Sequence, residues 1–184
     1  MKLHQTRSVA VLVLLGALTA CGDVEAPSAP NDVVRQASAS GQALKALARY
    51  SSGPPSLTIA WAKKWIGPQG GTLSWQGFTV VVPAGAVDRV TQFSIRLPVD
   101  PQNKEFVMAE FGPHGKTFAV PVTLHLPLAG TTSEGSDARV LWWNGAEWEV
   151  MPTTQIGDHL EAPTTHFSTY GTEGTQRGFT LAGG

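Results

Sequence analysis

The chain has 184 residues, of which only 15% are charged, and its formal net charge is −1. Globular domains average about 25% charged residues, so this chain is poor in charge. Its 20 glycines and 13 prolines also make it rich in turns. This composition excludes a coiled coil, a highly charged disordered tail and a strongly basic nucleic-acid-binding protein. We therefore expect no nucleic-acid partner.

The first twenty residues are organised like an export signal. Lys2 and Arg7 supply a short basic region, and a ten-residue apolar stretch follows over residues 9–18. A stretch of this length suits the core of a signal peptide, which has about 7–15 apolar residues, and falls short of the ~20 that a membrane-spanning helix needs. We predict a signal peptide over residues 1–20.

Cys21 is the only cysteine of the chain and directly follows Leu18-Thr19-Ala20. This arrangement resembles the lipobox of bacterial lipoproteins, which implies cleavage before Cys21 and acylation of its sulfur. The alternative is an ordinary signal peptide with a chance cysteine nearby. Gly22 stands where inner-membrane lipoproteins carry an Asp, so the resemblance favours the outer membrane of a Gram-negative cell envelope. The partner expected for this segment is a membrane, reached through the acyl chains on Cys21.

Residues 21–60 have the composition of a flexible tether. Two stretches rich in proline and small residues, 26–30 and 51–55, are typical of linkers. Between them a short helix is predicted over about residues 40–50, although an isolated helix of this length is marginal in water. It could bind a partner or act as a plain spacer, and the spacer is the preferred interpretation.

From residue 61 to residue 171, apolar residues recur at every second position between turn signals, which is typical of half-buried strands. The clearest runs are residues 78–82, 93–97 and 120–128. No helical periodicity appears after residue 60. The pattern predicts an all-β fold, an antiparallel immunoglobulin-like β-sandwich of about eight or nine strands. A Gly/Thr-rich tail is predicted over residues 172–184.

An Asn-Gly pair at 144–145 marks a hairpin between residues 141–143 and 148–150. A two-residue loop and a four-residue loop both fit. Both registers have the same parity, so in either case four apolar residues share one face of the hairpin and Trp142 lies on the opposite face. These four are Leu141, Trp143, Trp148 and Val150.

Four stretches of this body match motifs of a known module: Gly70-Gly71-Thr72-Leu73, Val82-Pro83-Ala84-Gly85-Ala86, residues 111–118 running into 121–124, and residues 141–145. Together they resemble the ZU-five domain, a β-sandwich of zonula-occludens proteins, netrin receptors, ankyrins and death-domain adaptors, with exported bacterial relatives. The resemblance covers roughly residues 66–171. It implies a role in protein–protein interaction or scaffolding.

The tripeptide His166-Phe167-Ser168 matches the self-cleavage site of autoproteolytic members of that family. The resemblance implies that His166 acts as base, that Ser168 is the nucleophile and that the Phe167–Ser168 bond is cleaved. On a continuous strand His166 and Ser168 would share a face, and imidazole is the usual base for such an attack. The preferred interpretation is structural, with Phe167 in the core and a His–Ser hydrogen bond at its rim, because cleavage requires backbone strain.

The six tryptophans are a further candidate site. Exposed aromatic rings on a sandwich can bind glycans or peptides, whereas a core without disulfide bonds is expected to take most of them inside. The predicted surface aromatics are Trp142 and one of the pair Trp61 and Trp65. Trp142 is the candidate binding residue for a glycan.

No metal site and no cofactor are expected. Four histidines are scattered along the chain without the spacing of metal ligands: His114, His125, His159 and His166. The chain also has no nucleotide-binding glycine motif, nucleophile elbow or close carboxylate pair. Neither an enzyme activity nor a small-molecule substrate is therefore predicted.

The sequence thus predicts an envelope-anchored lipoprotein whose β-sandwich is a non-enzymatic interaction or structural module. Its protein partner in the envelope is not identified by the sequence. Self-cleavage through His166 and Ser168, and glycan binding through exposed tryptophan, are the two alternatives.

Overall fold

A computed structural model describes residues 46–174, and every regular element among them is a β-strand. The predicted signal peptide, Cys21 and the first part of the predicted tether lie outside the described residues, as does most of the predicted tail. None of the described residues belongs to a helix with the length and apolarity to cross a membrane.

Eleven strands occur in this part of the chain. They are β1 (Trp61–Ile66), β2 (Gly71–Trp75), β3 (Phe78–Val82), β4 (Thr91–Arg96), β5 (Met108–Gly112), β6 (Thr117–Pro127), β7 (Val140–Trp143), β8 (Trp148–Val150), β9 (Thr154–Ile156), β10 (His159–His166) and β11 (Thr169–Thr172).

The strands form two sheets. The six-stranded sheet has the order β1-β4-β5-β11-β7-β8, and the five-stranded sheet has the order β2-β3-β6-β10-β9. Every strand pair is antiparallel. The prediction of an all-β antiparallel sandwich is confirmed, with more strands than the eight or nine expected.

The core lies between the inner faces of the two sheets. In β3, Phe78, Val80 and Val82 are buried while the residues between them are half-buried, as the period of two predicted. β4 contributes Phe93 and Ile95 from the opposite sheet. Each large apolar side chain that is fully buried contributes about 1.5–3 kcal/mol, so this alternation is the main source of stability.

β6 departs from the alternation in its first half. Val122 pairs with Thr164 and Thr117 pairs with His166, so β6 advances five residues while β10 advances two. This bulge turns Val120 outward, where it is 40% exposed, although the pattern placed it inside. β6 lies in the middle of its sheet, and its prolines are accommodated at the bulge and at the last residue.

Residues 46–50 form an N-terminal segment that pairs with the sandwich instead of forming a helix. The Ala48 amide donates to the Thr172 carbonyl at 2.8 Å, and the Val107 amide donates to the Ala48 carbonyl at 2.8 Å. Leu47 and Ala48 are buried. The predicted helix is wrong over this stretch, because pairing satisfies backbone groups that a short isolated helix holds only marginally. The packed domain therefore begins before the predicted boundary at Trp61 and continues past Gly171.

The hairpin of β7 and β8 has the four-residue loop, with Trp143 opposite Trp148 and Leu141 opposite Val150. Trp142 and Trp143 lie on opposite faces of the hairpin, as predicted. The face that packs against the main core, however, is that of Trp142 and not that of Leu141. Trp142 packs against the main core. Leu141 instead belongs to a second, smaller apolar cluster on the outer face of the six-stranded sheet, together with Leu47, Phe106 and Met108.

Candidate functional site

Phe167 and Ser168 form the connection between the two sheets. β10 ends at His166 in the five-stranded sheet, and β11 begins at Thr169 in the six-stranded sheet. The chain therefore leaves one layer of the sandwich and joins the other within two residues. The expectation of a continuous strand through His166 and Ser168 is wrong, so the rule that alternate residues share a face does not apply here.

Phe167 fastens this crossover to the core. Its side chain is 4% exposed. Its ring centroid lies 4.7 Å from that of Phe118 and 5.8 Å from that of Phe93, both in edge-on geometry. Such aromatic pairs add about 0.5–1.5 kcal/mol each beyond the burial of their area. Phe167 therefore lies in the core, as the structural interpretation expected.

The backbone next to the Phe167–Ser168 bond is held by two hydroxyl groups. The Tyr170 hydroxyl and the Thr164 Oγ1 each donate to the His166 carbonyl at 2.8 Å. Burial raises the pKa of Tyr170 to about 12, so its phenol stays protonated as a donor. Among the described residues other than glycine, only Gln76 has a positive φ, so neither Phe167 nor Ser168 has a left-handed backbone.

His166 and Ser168 face different neighbours. The Ser168 hydroxyl donates to the Trp143 carbonyl at 2.8 Å. The His166 ring packs edge-on against Trp142, with 4.9 Å between the ring centroids. Within residues 46–174 the structure shows no hydrogen bond between the His166 ring and the Ser168 hydroxyl. The predicted His–Ser contact at the rim is therefore absent, because the crossover separates the two side chains.

The exposed tryptophans are Trp61 and Trp65, which are 47% and 64% exposed. Trp142 does not point to solvent: it packs against the main core, and its Nε1 is buried without a hydrogen-bond partner. The prediction of Trp142 as a surface aromatic is wrong. Its neighbour across the ladder is the fully buried Tyr170, so the inner face of the sheet is the one that Trp142 occupies.

Trp61 and Trp65 share one face of β1 with Lys63. β1 is an end strand of the six-stranded sheet and pairs with β4. The Lys63 ammonium lies 4.5 Å from the centre of the Trp61 ring, a cation–π contact. Trp61 is opposite Arg96 in the ladder, and Arg96 lines a shallow cavity of about 390 Å³ together with Met108, Glu110 and Thr169. We call Trp61, Lys63, Trp65 and Arg96 the β1 face.

A separate cluster of ionisable groups lies on the outer face of the five-stranded sheet. His125 of β6 is directly opposite Glu161 of β10, and His159 precedes Glu161 by two residues on the same face. The Nε2 atoms of both imidazoles lie 3.2 Å from Glu161 Oε1. We call these three residues the histidine cluster.

The pKa values of the two imidazoles in the histidine cluster shift in opposite directions. A hydrogen bond from His159 Nδ1 to the Asp158 carboxylate, 3.0 Å long, raises the pKa of His159. Partial burial lowers the pKa of His125. This cluster is not evident from the sequence, because the histidines are far apart in the chain. The spacing of His159 and Glu161 was a usable signal, but the pairing of β10 with β6 was not predicted.

Comparison with models of known protein families gives no match, and comparison with curated proteins gives none either. What the structure defines is an antiparallel β-sandwich. The resemblance to the ZU-five domain stays a prediction from sequence motifs.

Proposed function

We propose that this protein is an exported lipoprotein whose β-sandwich, of the ZU-five kind, is a non-enzymatic interaction module, and that the β1 face is its contact surface. The observation that carries the proposal is the pair of exposed tryptophans on one face of an end strand. Two large aromatic rings in solvent are unfavourable for an isolated domain, and tryptophan is among the residues that contribute most to protein–protein binding.

The β1 face stands on a strand that is fully paired within its sheet. The ammonium of Lys63 lies over the Trp61 ring, and Trp61 stands on a strand that pairs with β4 over its whole length. A ring with few accessible orientations loses little entropy on binding, so its burial contributes more to affinity.

The chemistry of the face indicates the kind of partner. Lys63 places positive charge between the two tryptophans, whereas Arg96, opposite Trp61, lies 3.9 Å from the Glu110 carboxylate. A protein with an apolar patch flanked by carboxylates is complementary to it. Lysines on an end strand also discourage pairing with a further strand, so we propose contact through the side chains of the face and not through the backbone edge of β1.

Self-cleavage at the Phe167–Ser168 bond is the second candidate. Its support is the position of that bond at the two-residue crossover between the sheets, next to His166. The Ser168 hydroxyl argues against self-cleavage, because it donates to the Trp143 carbonyl and is not paired with the His166 imidazole. A base must lie within hydrogen-bond reach of the proton that it removes, so the interaction module is the better supported function.

Site-specific photo-crosslinking in cells tests the proposal. A photoreactive amino acid at position 92 is expected to give a discrete protein adduct, because the exposed Gln92 is directly opposite Trp65 in the ladder. The matched control is position 156, because Ile156 is an exposed apolar residue, 46% exposed, on the end strand of the other sheet. Equal adducts at both positions, or no adduct at position 92, would contradict the proposal. Adducts with carbohydrate alone would instead support the glycan-binding alternative.

A further inference from the structure

The histidine cluster has the composition of a metal site. Two imidazoles and one carboxylate converge, and their ligand atoms all lie within 4.8 Å of one another. Two histidines and one glutamate are the protein ligands of one class of catalytic zinc site, in which the fourth position is left to water. Imidazole nitrogen suits zinc, copper and nickel ions, whereas magnesium and calcium prefer all-oxygen sites.

The distances from Glu161 to the two imidazoles fit a zinc ion. Zinc binds histidine nitrogen and carboxylate oxygen at about 2.0–2.2 Å, so ligand atoms at tetrahedral angles are about 3.3 Å apart. Glu161 Oε1 lies 3.2 Å from His125 Nε2 and 3.2 Å from His159 Nε2. The two rings are stacked, with 4.7 Å between their centroids, so the His125 ring has to turn about its broad χ2 torsion to point its nitrogen at an ion bound by His159.

Asp158 supplies the group that commonly orients a metal-binding histidine. Its carboxylate accepts a hydrogen bond from His159 Nδ1 at 3.0 Å. This bond leaves Nε2, the atom that faces Glu161, as the nitrogen available to a metal. Carboxylate partners of this kind fix the tautomer and the orientation of the ring. Their loss typically lowers metal affinity by about 10–100-fold.

The backbone holds the three ligands on neighbouring strands inside a sheet. β6 lies between β3 and β10, and Glu161 is the direct cross-strand partner of His125. The side chains are about a quarter exposed, at 25%, 27% and 28% for His125, His159 and Glu161. A shallow cavity of about 300 Å³ adjoins the two histidines, which leaves room for water or a small ligand at a fourth position.

We propose that His125, His159 and Glu161 bind one divalent transition-metal ion, with zinc as the best-fitting ion and Asp158 as the orienting partner of His159. The site is on the opposite sheet from the β1 face and does not depend on the proposed function. The competing explanation is that Glu161 Oε1 simply accepts hydrogen bonds from the two imidazoles. In that arrangement both Nε2 atoms carry the protons that they donate to Glu161, at the positions where the metal would bind.

Zinc titration by isothermal calorimetry tests the proposal. The full chain carries Cys21→Ser, so that its only thiol cannot bind the metal. One Zn²⁺ per chain is expected. His125→Ala and Glu161→Gln are each expected to weaken binding about tenfold or more, and Asp158→Asn by about tenfold. His114→Ala is the control, because His114 pairs with Glu110 on the other sheet, and it should leave the affinity unchanged.

Two results would overturn the metal site: no zinc binding by the Cys21→Ser chain, or zinc binding that persists unchanged in both His125→Ala and Glu161→Gln. Circular dichroism shows whether these variants fold. If one of them does not, X-ray absorption at the zinc edge of the Cys21→Ser chain decides the question. Two imidazole ligands, with oxygen ligands in the remaining positions, support the proposal, and any other number of imidazoles contradicts it.

Discussion

Single residues at the crossover decide how the two sheets are joined. Phe167 inserts into an aromatic group from both sheets, and Tyr170 closes back on the His166 carbonyl. Ser168 completes the arrangement through the Trp143 carbonyl. Each residue that the resemblance linked to self-cleavage therefore has a structural contact of its own.

Replacing Phe167 by alanine should destabilise the sandwich strongly. The substitution leaves a cavity at a 4% exposed position, and truncations of buried phenylalanine cost about 3–5 kcal/mol. Urea unfolding followed by tryptophan fluorescence measures the change. Val120→Ala is the control, because Val120 is 40% exposed and surface substitutions usually change stability by no more than about 0.5 kcal/mol. Similar losses for the two variants would contradict the packing described here.

Tyr170→Phe isolates the hydroxyl at the crossover. The ring stays buried, and the His166 carbonyl keeps the hydrogen bond from Thr164. The expected loss is therefore that of one hydrogen bond, about 0.5–1.5 kcal/mol. The same unfolding measurement applies. A loss comparable to that of Phe167→Ala would show that the hydroxyl does more than hold one carbonyl.

Intact-mass analysis of the purified chain decides whether the Phe167–Ser168 bond is cleaved. Because the Ser168 hydroxyl is engaged with a carbonyl, we expect one uncleaved species. Ser168→Ala should give the same single species. A fragment ending at Phe167 that is present in the original chain and absent from Ser168→Ala would establish self-cleavage and overturn this expectation.

At the scale of elements, the N-terminal segment is part of the sheet and not of a spacer. It lies between the end of β11 and the residues before β5, bonded to both through the Ala48 backbone. Gly174 passes so close that a Cβ there would lie 2.6 Å from the Leu47 carbonyl oxygen. A side chain at position 174 would force the two strands apart, which explains a glycine at this point.

Leu47→Ala tests whether the N-terminal segment belongs to the folded domain. Leu47 is 4% exposed in the second apolar cluster, and comparable leucine truncations cost about 2–5 kcal/mol. Ile59→Ala, at a residue that is 53% exposed, should be nearly neutral. Unfolding curves of both variants against the original chain give the comparison. Equal, small effects would mean that residues 46–50 are a spacer after all.

At the scale of the whole molecule, the sequence predicted the class of fold and missed the long-range pairings. Alternation of apolar residues identified the strands, since Phe78, Val80 and Val82 must share a face whatever their neighbours are. Parity likewise predicted that Trp142 and Trp143 face opposite sides. It could not say which side is the core, because that depends on Tyr170, which comes from a strand 28 residues further along the chain.

The candidate sites show the same limit. His125 and Glu161 are opposite each other only because β6 and β10 pair, and no local pattern specifies that pairing. The helix predicted for the N-terminal segment is wrong for a related reason. Its backbone forms hydrogen bonds with Thr172 and Val107, and these distant partners override the local helix propensity. For β1, the sequence predicts that one of Trp61 and Trp65 is at the surface, and in the structure both are exposed.

Cys21→Ser tests the proposed anchoring of the whole molecule. Without the sulfur no acyl chain can be attached, and two or more chains are needed for stable attachment to a membrane. The variant should move from the membrane fraction to the soluble fraction of lysed cells, measured by immunoblotting. Ser28→Ala, a change in the predicted tether, is the control and should stay in the membrane fraction. A Cys21→Ser chain that stays membrane-bound would refute the lipid anchor.

The central claim is that the sandwich acts through the β1 face. The most direct measurement is photo-crosslinking from position 92, opposite Trp65, in the double variant Trp61→Ala/Trp65→Ala. Both rings are exposed, so the fold should persist. The yield of the protein adduct should fall about tenfold or more, as expected for the loss of two main binding residues, while Ile156→Ala should leave the yield unchanged. An adduct of unchanged yield in the double variant would contradict the claim.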